Sequence, residues 1–232
     1  MDTPPPPPVP DHLPTPAVGR LSLYFRELHR LIDNQVGSIN SRQLGELVNV
    51  TPAVVRRDLR DIGSSGVRGV GYDTAALVDR IGNVLGSGQI WNVILVGVGS
   101  LGHALLRYRG FERLGFRLAA AVDKNPDRIG QTIGHTKIQS ADDLPQILQT
   151  RPSELAILAV PAEHAPDTAA LLVAAGIQGI LNFAPMTLRL PGNVAVVNVD
   201  LASELQRLAF GVQNAAFADQ NPPAHTSPPT PN

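Results

Sequence analysis

Apolar residues at Leu21, Tyr24, Phe25, Leu28, Leu31 and Ile32 follow the i, i+3, i+4, i+7 spacing of a single helix face, and Gly37 ends the pattern. A shorter helix is predicted over residues 41–48, with Ser41 as N-cap and Leu44, Leu47 and Val48 turned inward. Thr51-Pro52 then opens a third. Threonine caps, and proline at the first helical position loses nothing by lacking an N–H. That helix runs to about residue 62, burying Val55, Leu59 and Ile62 and presenting Ala53, Arg56, Arg57 and Arg60 on another face. Two helices joined by a three-residue turn form a helix-turn-helix pattern. Residues 63–72 follow as a glycine-rich hairpin with Arg68 near its middle, in the position of a wing.

From residue 90 the period changes. Residues 90–96 form a short continuous apolar run of buried-strand type, and a helix is predicted over 101–108. Further strands are predicted at 117–122, 155–160, 179–181 and 194–199, with helices at 141–149 and 163–175. Strands alternating with helices imply a parallel sheet covered on both faces. A last amphipathic helix spans about 201–217.

Composition sharpens the boundaries. Of the 21 prolines, eight lie in residues 1–16 and five in 219–232, so both ends read as polyproline-like or disordered tails. No apolar run reaches the ~18 residues needed to cross a bilayer. Met1-Asp2 runs into proline without a basic stretch or apolar core, which points to a cytoplasmic protein. Without cysteine there is no disulfide, no cysteine-based metal site and no thiol catalysis. The net charge of -1 hides an asymmetry, because Arg56, Arg57, Arg60 and Arg68 cluster in the first block. Arginine's planar fork suits phosphates and guanine edges.

Residues 97–102 read Gly-Val-Gly-Ser-Leu-Gly, directly after a buried strand and opening a helix, and Asp123 ends the next strand. This is the dinucleotide-binding context. Gly97 makes the tight turn, Gly99 admits the pyrophosphate to the backbone, and Gly102 allows close helix–strand packing. Val98, Ser100 and Leu101 supply the rest of the loop. Asp123 would accept from the adenine ribose hydroxyls and repel a 2′-phosphate, favouring NAD(H) over NADP(H), although Lys124 pulls the other way. A unit that needs glycine only for packing is the alternative. Arg56, Arg57, Arg60 and Arg68, with Thr51 at the helix start, are the candidate DNA contacts; a solvated basic face on a protein–protein domain is the alternative.

The histidines carry no catalytic constellation. His12 and His225 lie in the tails, His103 reads as a packed or exposed residue of the phosphate-loop helix, and His29, His135 and His164 have no carboxylate or second histidine at metal-ligand spacing. No metal site and no catalytic residue is predicted. The chain after the dinucleotide unit is too short for a separate substrate domain, so a DNA-reading module on a cofactor domain suggests a sensor.

Six stretches now carry a resemblance: residues 43–47 (QLGEL), 55–59 (VRRDL), 66–72 (GVRGVGY), 97–102, 181–185 (LNFAP) and 198–200 (NVD). Over roughly 18–217 the chain resembles the Rex family of redox-sensing transcriptional repressors. The resemblance implies a homodimer that binds palindromic operator DNA and is released by NADH, and so senses the NADH/NAD+ ratio. It implies a winged-helix head, a Rossmann-type NAD(H) domain and a domain-swapped C-terminal helix. It assigns Arg57 and its neighbours to DNA and Asp123 to the adenosine ribose. Tyr108 and Asp200, with Phe183 of the LNFAP stretch, join the cofactor-binding set. Asp200 of the partner pairs with Tyr108 in the NADH-bound state and with Arg26 in the DNA-competent state. Where the family often has Phe after that aspartate, this chain has Leu201.

The expected class is therefore α/β: tail 1–17, winged helix-turn-helix 18–80, parallel-sheet cofactor domain 81–199, swapped helix 200–217 and tail 218–232. The expected protein is a non-enzymatic, cytoplasmic repressor without metal or membrane. A small NAD-dependent oxidoreductase and a CoA- or nucleotide-binding module remain alternatives.

Overall fold

The computed structural model describes residues 13–220, with side chains to residue 213. Most of both expected tails lies outside the described residues. The chain divides into two compact units, the first ending at Ile90 and taking in Arg113–Gly115, the second formed by Trp91–Glu112 and the chain from Phe116 onward.

The first unit holds α1 (Thr15–Asp33), β1 (Ser38–Ile39), α2 (Ser41–Val48), α3 (Pro52–Asp61), β2 (Tyr72–Asp73) and α4 (Thr74–Leu85). Helix α1 starts inside the stretch expected to be tail: Pro16 sits in its first turn, where proline is tolerated, and Ala17 is already buried. The core joins Leu21, Tyr24 and Leu28 of α1 to Leu44 of α2, Val55 and Leu59 of α3, and Leu77 and Ile81 of α4.

Several local expectations need correction. The N-cap of α2 is Asn40, not Ser41. The Asn40 side chain accepts from the N–H of Arg42 and Gln43, while the Gln43 side chain accepts from the Asn40 N–H at 3.0 Å, a capping box. Ser41 Oγ instead accepts from Arg56 Nη1 at 3.1 Å. Leu47, expected inward, is exposed. The wing is less regular than a hairpin: its backbone pairing is the single bridge Val67↔Gly71, and Tyr72–Asp73 pairs instead with Ser38–Ile39. Glycines at 63, 66, 69 and 71 leave few side chains to pair across strands. Helix α4 has no counterpart among the expected elements. Asp73 caps it, accepting the Ala76 N–H at 2.8 Å, and it crosses the boundary placed at residue 80.

The second unit is a seven-stranded sheet. Its strands are β3 (Trp91–Val96), β4 (Phe116–Asp123), β5 (Thr132–Ile133), β6 (Thr136–Ser140), β7 (Leu155–Leu158), β8 (Gly179–Asn182) and β9 (Ala195–Asn198). Their order is β5-β6-β4-β3-β7-β8-β9, parallel throughout except for β5 against β6. The β5–β6 hairpin gives no clear pattern in the sequence because its strands are short and polar. Helices α5 (Ser100–Leu106), α6 (Gly110–Arg113), α7 (Leu144–Thr150) and α8 (Ala165–Ala174) connect the strands, and α9 (Leu201–Gln220) ends the described chain. The helix expected over 101–108 is thus shorter and is followed by a separate turn of helix at α6. Separate apolar clusters fill the two faces of the sheet, with Ile94, Ala120 and Leu158 in one and Val93, Leu95 and Ile157 in the other. Alternate residues of β3 serve opposite faces, which is why the run reads as continuously apolar.

Candidate nucleotide and nucleic-acid sites

Strand β3 is where the order of the parallel strands turns, with β4 on one side and β7 on the other. In open α/β sheets the crevice at the carboxyl ends of the strands beside such a point is the ligand site. A cavity of about 580 Å³ lies there, lined by Gly97, Gly99, Ser100, Leu101, Asp123, Lys124, Asn125 and Arg128, and by Pro161, His164, Asp167 and Thr168 across from them.

The loop explains its glycines. Gly97 has φ +93°, and a Cβ there would collide with the Ala159 carbonyl. At Gly102 a Cβ would run into the Gly97 carbonyl oxygen, so helix α5 and strand β3 approach only because both positions lack one. At Gly99 a Cβ meets no protein atom within 4 Å. No protein neighbour demands glycine there; the open cradle above it is what a diphosphate would fill.

Asp123 is buried at the tip of β4. Its Oδ2 accepts from the Val98 N–H at 2.6 Å and from Arg128 Nη1 at 3.2 Å, and its Oδ1 from the Asn125 N–H at 2.7 Å. Burial pushes this carboxyl up, but the Asn125 and Val98 N–H groups and the Arg128 guanidinium outweigh it, and the group lies below its ordinary 3.8. Asp123 thus bears a full charge at neutral pH and ties the glycine loop to β4.

Not every expected site residue meets this cavity. Val98 is buried beneath the loop and Gly102 sits in its packing layer. Tyr108, Phe183 and Asp200 are not among the lining residues. Tyr108 is exposed and stands edge-on to Phe111, with ring centroids 5.0 Å apart. Phe183 is half-buried at the end of β8, on the same sheet face as Val98 and Phe111. Asp200 caps α9: Oδ1 accepts from the Ala202 N–H at 3.0 Å and Oδ2 from Ser203 Oγ at 2.6 Å. Arg128, His164 and Thr168 escaped the sequence reading, since only folding brings them to the glycine loop. A signal for Arg128 existed in the Asn125-Pro126 turn that follows the acidic strand end.

In the first unit, Arg56, Arg60 and Arg68 line one shallow exposed groove with Asn40, Ser41 and the glycine-rich turn. Arg57 lies outside that groove, its guanidinium 4.0 Å from Asp61 and largely in solvent. Thr51 caps α3, its Oγ1 accepting the Val54 N–H at 3.4 Å. Helix α3 is anchored from behind. Arg20 Nε and Nη2 each donate to the buried Asp58 carboxylate at 2.7 Å, and Tyr24 OH donates to it at 3.0 Å. Burial, reinforced by the neighbouring Asp58, pushes the Tyr24 phenol far up, and the Asp58 hydrogen bond raises Arg20. Asp58 therefore holds the arginine-bearing helix to α1. Removing one partner of a buried, hydrogen-bonded pair leaves the other charge uncompensated, at a cost of about 3–5 kcal/mol. Because Arg20 keeps partial solvent access, Asp58→Ala is expected at the low end, about 3 kcal/mol, read as a lowered urea midpoint of the first unit.

A doubly wound nucleotide-binding sheet and a helix-turn-helix unit with an arginine groove, carried on one chain, define a class: a ligand-responsive DNA-binding regulator. Relatives narrow it. Residues 88–186 match the family described as "CoA binding domain", and residues 12–59 match "Putative DNA-binding protein N-terminus". The redox-sensing transcriptional repressor Rex of Rhodopirellula baltica is 65% identical over 202 residues, 87% of this chain and 85% of that protein. The Rex protein of Streptomyces coelicolor is 42% identical, covering 88% of this chain and 79% of that one. Among solved structures, RSP in complex with β-NAD+ and operator DNA superposes with TM-score 0.81 at 31% identity, over 94% of this chain and 100% of that one. RSP in complex with β-NADH gives TM-score 0.80 at 30% identity, over 91% and 99%. The chain belongs to the Rex family of redox-sensing transcriptional repressors.

Proposed function

We propose that the chain binds operator DNA as a homodimer and is released by NADH, acting as a cytoplasmic regulator rather than an enzyme. The single observation that carries this is the cavity itself. It joins Gly97, Gly99, Ser100, Leu101 and Asp123 at the turning point of the sheet, in a chain that also bears the Arg56, Arg60 and Arg68 groove. That RSP was solved with β-NAD+, β-NADH and operator DNA supports the same ligands here.

The residues have a division of labour. The loop N–H groups and the Gly99 cradle hold the diphosphate. Asp123, charged and lining the cavity, accepts from the adenosine ribose. When bound, the cofactor supplies a change of charge, because oxidised nicotinamide is cationic and reduced nicotinamide neutral. An apolar surround that includes Phe183 favours the neutral ring through the desolvation cost of the cation. A thousandfold preference corresponds to ~4 kcal/mol. Every residue from Leu201 to Gln213 is exposed, and Leu201, Leu205, Leu208 and Val212 form one apolar stripe on α9. A second copy of the chain, taking this helix into a swapped dimer, would bury that stripe. Among the described residues no helix is long and apolar enough to cross a membrane, and no group of metal-ligating side chains gathers. The candidate contacts to DNA are Thr51, Arg56, Arg57, Arg60 and Arg68.

The test titrates the chain onto a palindromic operator fragment with and without NADH. Release by NADH, with little effect of NADPH, is expected; DNA binding indifferent to NADH overturns the proposal, and turnover of a hydroxy or keto substrate favours a reductase. Calorimetry supplies the matching cofactor result. Asp123→Ala weakens NADH about tenfold, the worth of one charge-assisted hydrogen bond, and narrows its advantage over NADPH.

A further inference from the structure

The adenosine end of the cavity contains a cation that the ribose-binding role of Asp123 does not require. Arg128 lines the cavity and donates from Nη1 to Asp123 Oδ2 at 3.2 Å. The turn carrying it is braced at two points: the Asp127 N–H donates to Asn125 Oδ1 at 2.9 Å, and the Arg128 N–H to the Asn125 carbonyl at 3.0 Å. Its guanidinium remains partly open to solvent. Lys124 lines the same end of the cavity and is exposed. A second carboxylate, Asp167, also lines the cavity, while the ion pair of Arg128 is made with Asp123.

We propose that Arg128 is a specificity-determining residue, a latent ligand for the 2′-phosphate of an NADP-type nucleotide that Asp123 holds occupied. This rests on the nucleotide-binding reading above. A guanidinium presents a planar fork of donors that fits a phosphate in two-point contact. Beside the adenosine ribose, an arginine is the group that accommodates a 2′-phosphate, as an acid is the group that takes the 2′-hydroxyl. Here both stand together. While Asp123 is present its charge neutralises Arg128 and faces any 2′-phosphate directly. Discrimination against NADPH therefore depends on the balance of two opposed charges, not on the acid alone. Removing the acid frees the guanidinium at the same stroke. Arg128→Ala in the natural background tips the balance the other way, leaving the Asp123 charge uncompensated.

The experiment measures NADH and NADPH affinities by calorimetry in the parent, Arg128→Ala, Asp123→Ala and the double variant. In Asp123→Ala, NADPH affinity rises about tenfold over the parent, and the double variant loses that gain. An Asp123→Ala protein with no gain for NADPH overturns the proposal, as does a double variant that keeps it. Asp123→Ala also gives up three hydrogen bonds, so Arg128→Ala provides a second readout should that variant not fold. It widens the ratio of NADH to NADPH affinity severalfold, whereas an arginine that merely braces the turn lowers both affinities by the same factor. The two levels fail separately. A parent that binds neither nucleotide refutes the nucleotide reading, and a parent that binds NADH while Arg128→Ala leaves the ratio unchanged refutes only the role of Arg128.

Discussion

Asp200→Ala yields a protein that still binds operator and still binds NADH, while saturating NADH no longer releases the DNA. The proposal behind this is that the Asp200 carboxylate exchanges between Arg26 and Tyr108 across two subunits, so its two contacts bias two domain arrangements. In the described chain each of the three side chains is engaged in local contacts only. Asp200 is exposed and held by Ser203 and the Ala202 N–H, bonds that keep its carboxyl below the ordinary range and therefore charged at neutral pH. Arg26 donates from Nε to the buried Glu27 at 3.1 Å with most of its own side chain in solvent, and Glu27 keeps a second partner in Arg30 when Arg26 leaves. Tyr108 is exposed and stands edge-on to Phe111. A ligand shifts an equilibrium only by its differential affinity for the two states, and the coupling is the ratio of operator affinities with and without NADH. Typical allosteric couplings of about 1–3 kcal/mol should fall to nearly nothing in the variant. Asp200→Asn separates the switch from the helix cap, because an amide oxygen still accepts the Ala202 N–H but carries no charge. Full NADH response in both variants makes Asp200 a cap and no more.

Arg57→Ala should lose operator affinity by tenfold to a hundredfold, the ~1–3 kcal/mol of a two-point arginine contact, while NADH affinity stays near the parent value. The side chain is mostly solvent-exposed and its ion pair with Asp61 is long, so little native stability goes with it. Arg56 and Arg60 line the groove shared with Arg68, whereas Arg57 projects about 100° further around α3. The set therefore presents two directions of approach, and salt dependence distinguishes their tasks. Truncating an arginine that binds a phosphate lowers the salt slope by about one and weakens all sequences alike; truncating one that reads a base relaxes specificity at one position. Unchanged operator affinity in Arg57→Ala removes this residue from the interface.

Much of this protein was written locally. The spacing of Leu21, Tyr24, Phe25 and Leu28 dictates an amphipathic α1, and Thr51-Pro52 dictates where α3 starts, because helix faces and caps depend on residues within one or two turns. The glycine loop after the apolar run of β3, with an acid ending β4, was legible for the same reason: Gly97 and Gly102 answer demands of their immediate backbone, as the collisions at both positions make plain. Weak local signals failed where pairing partners lay elsewhere. The glycine-rich turn could not maintain a hairpin of its own, and Tyr72–Asp73 paired back to Ser38–Ile39.

What only the tertiary structure decided are relations over long sequence separations. Asp58 lies among the arginines of α3 in sequence, yet it is buried against Arg20 and Tyr24, 38 and 34 residues earlier, and holds that helix in place. His164 and Thr168 reach the glycine loop only because β7 pairs beside β3. Arg128 lies near Asp123 in the chain, but whether its guanidinium turns to the carboxylate or to solvent depends on a cavity assembled from distant segments. Sequence thus determined the strongly periodic elements, though not α4 or the β5–β6 hairpin, and where backbone must approach closely, since those follow from periodicity and sterics within a few residues. Charge partnership and cavity composition waited for the fold, because they depend on distances that chain connectivity does not set.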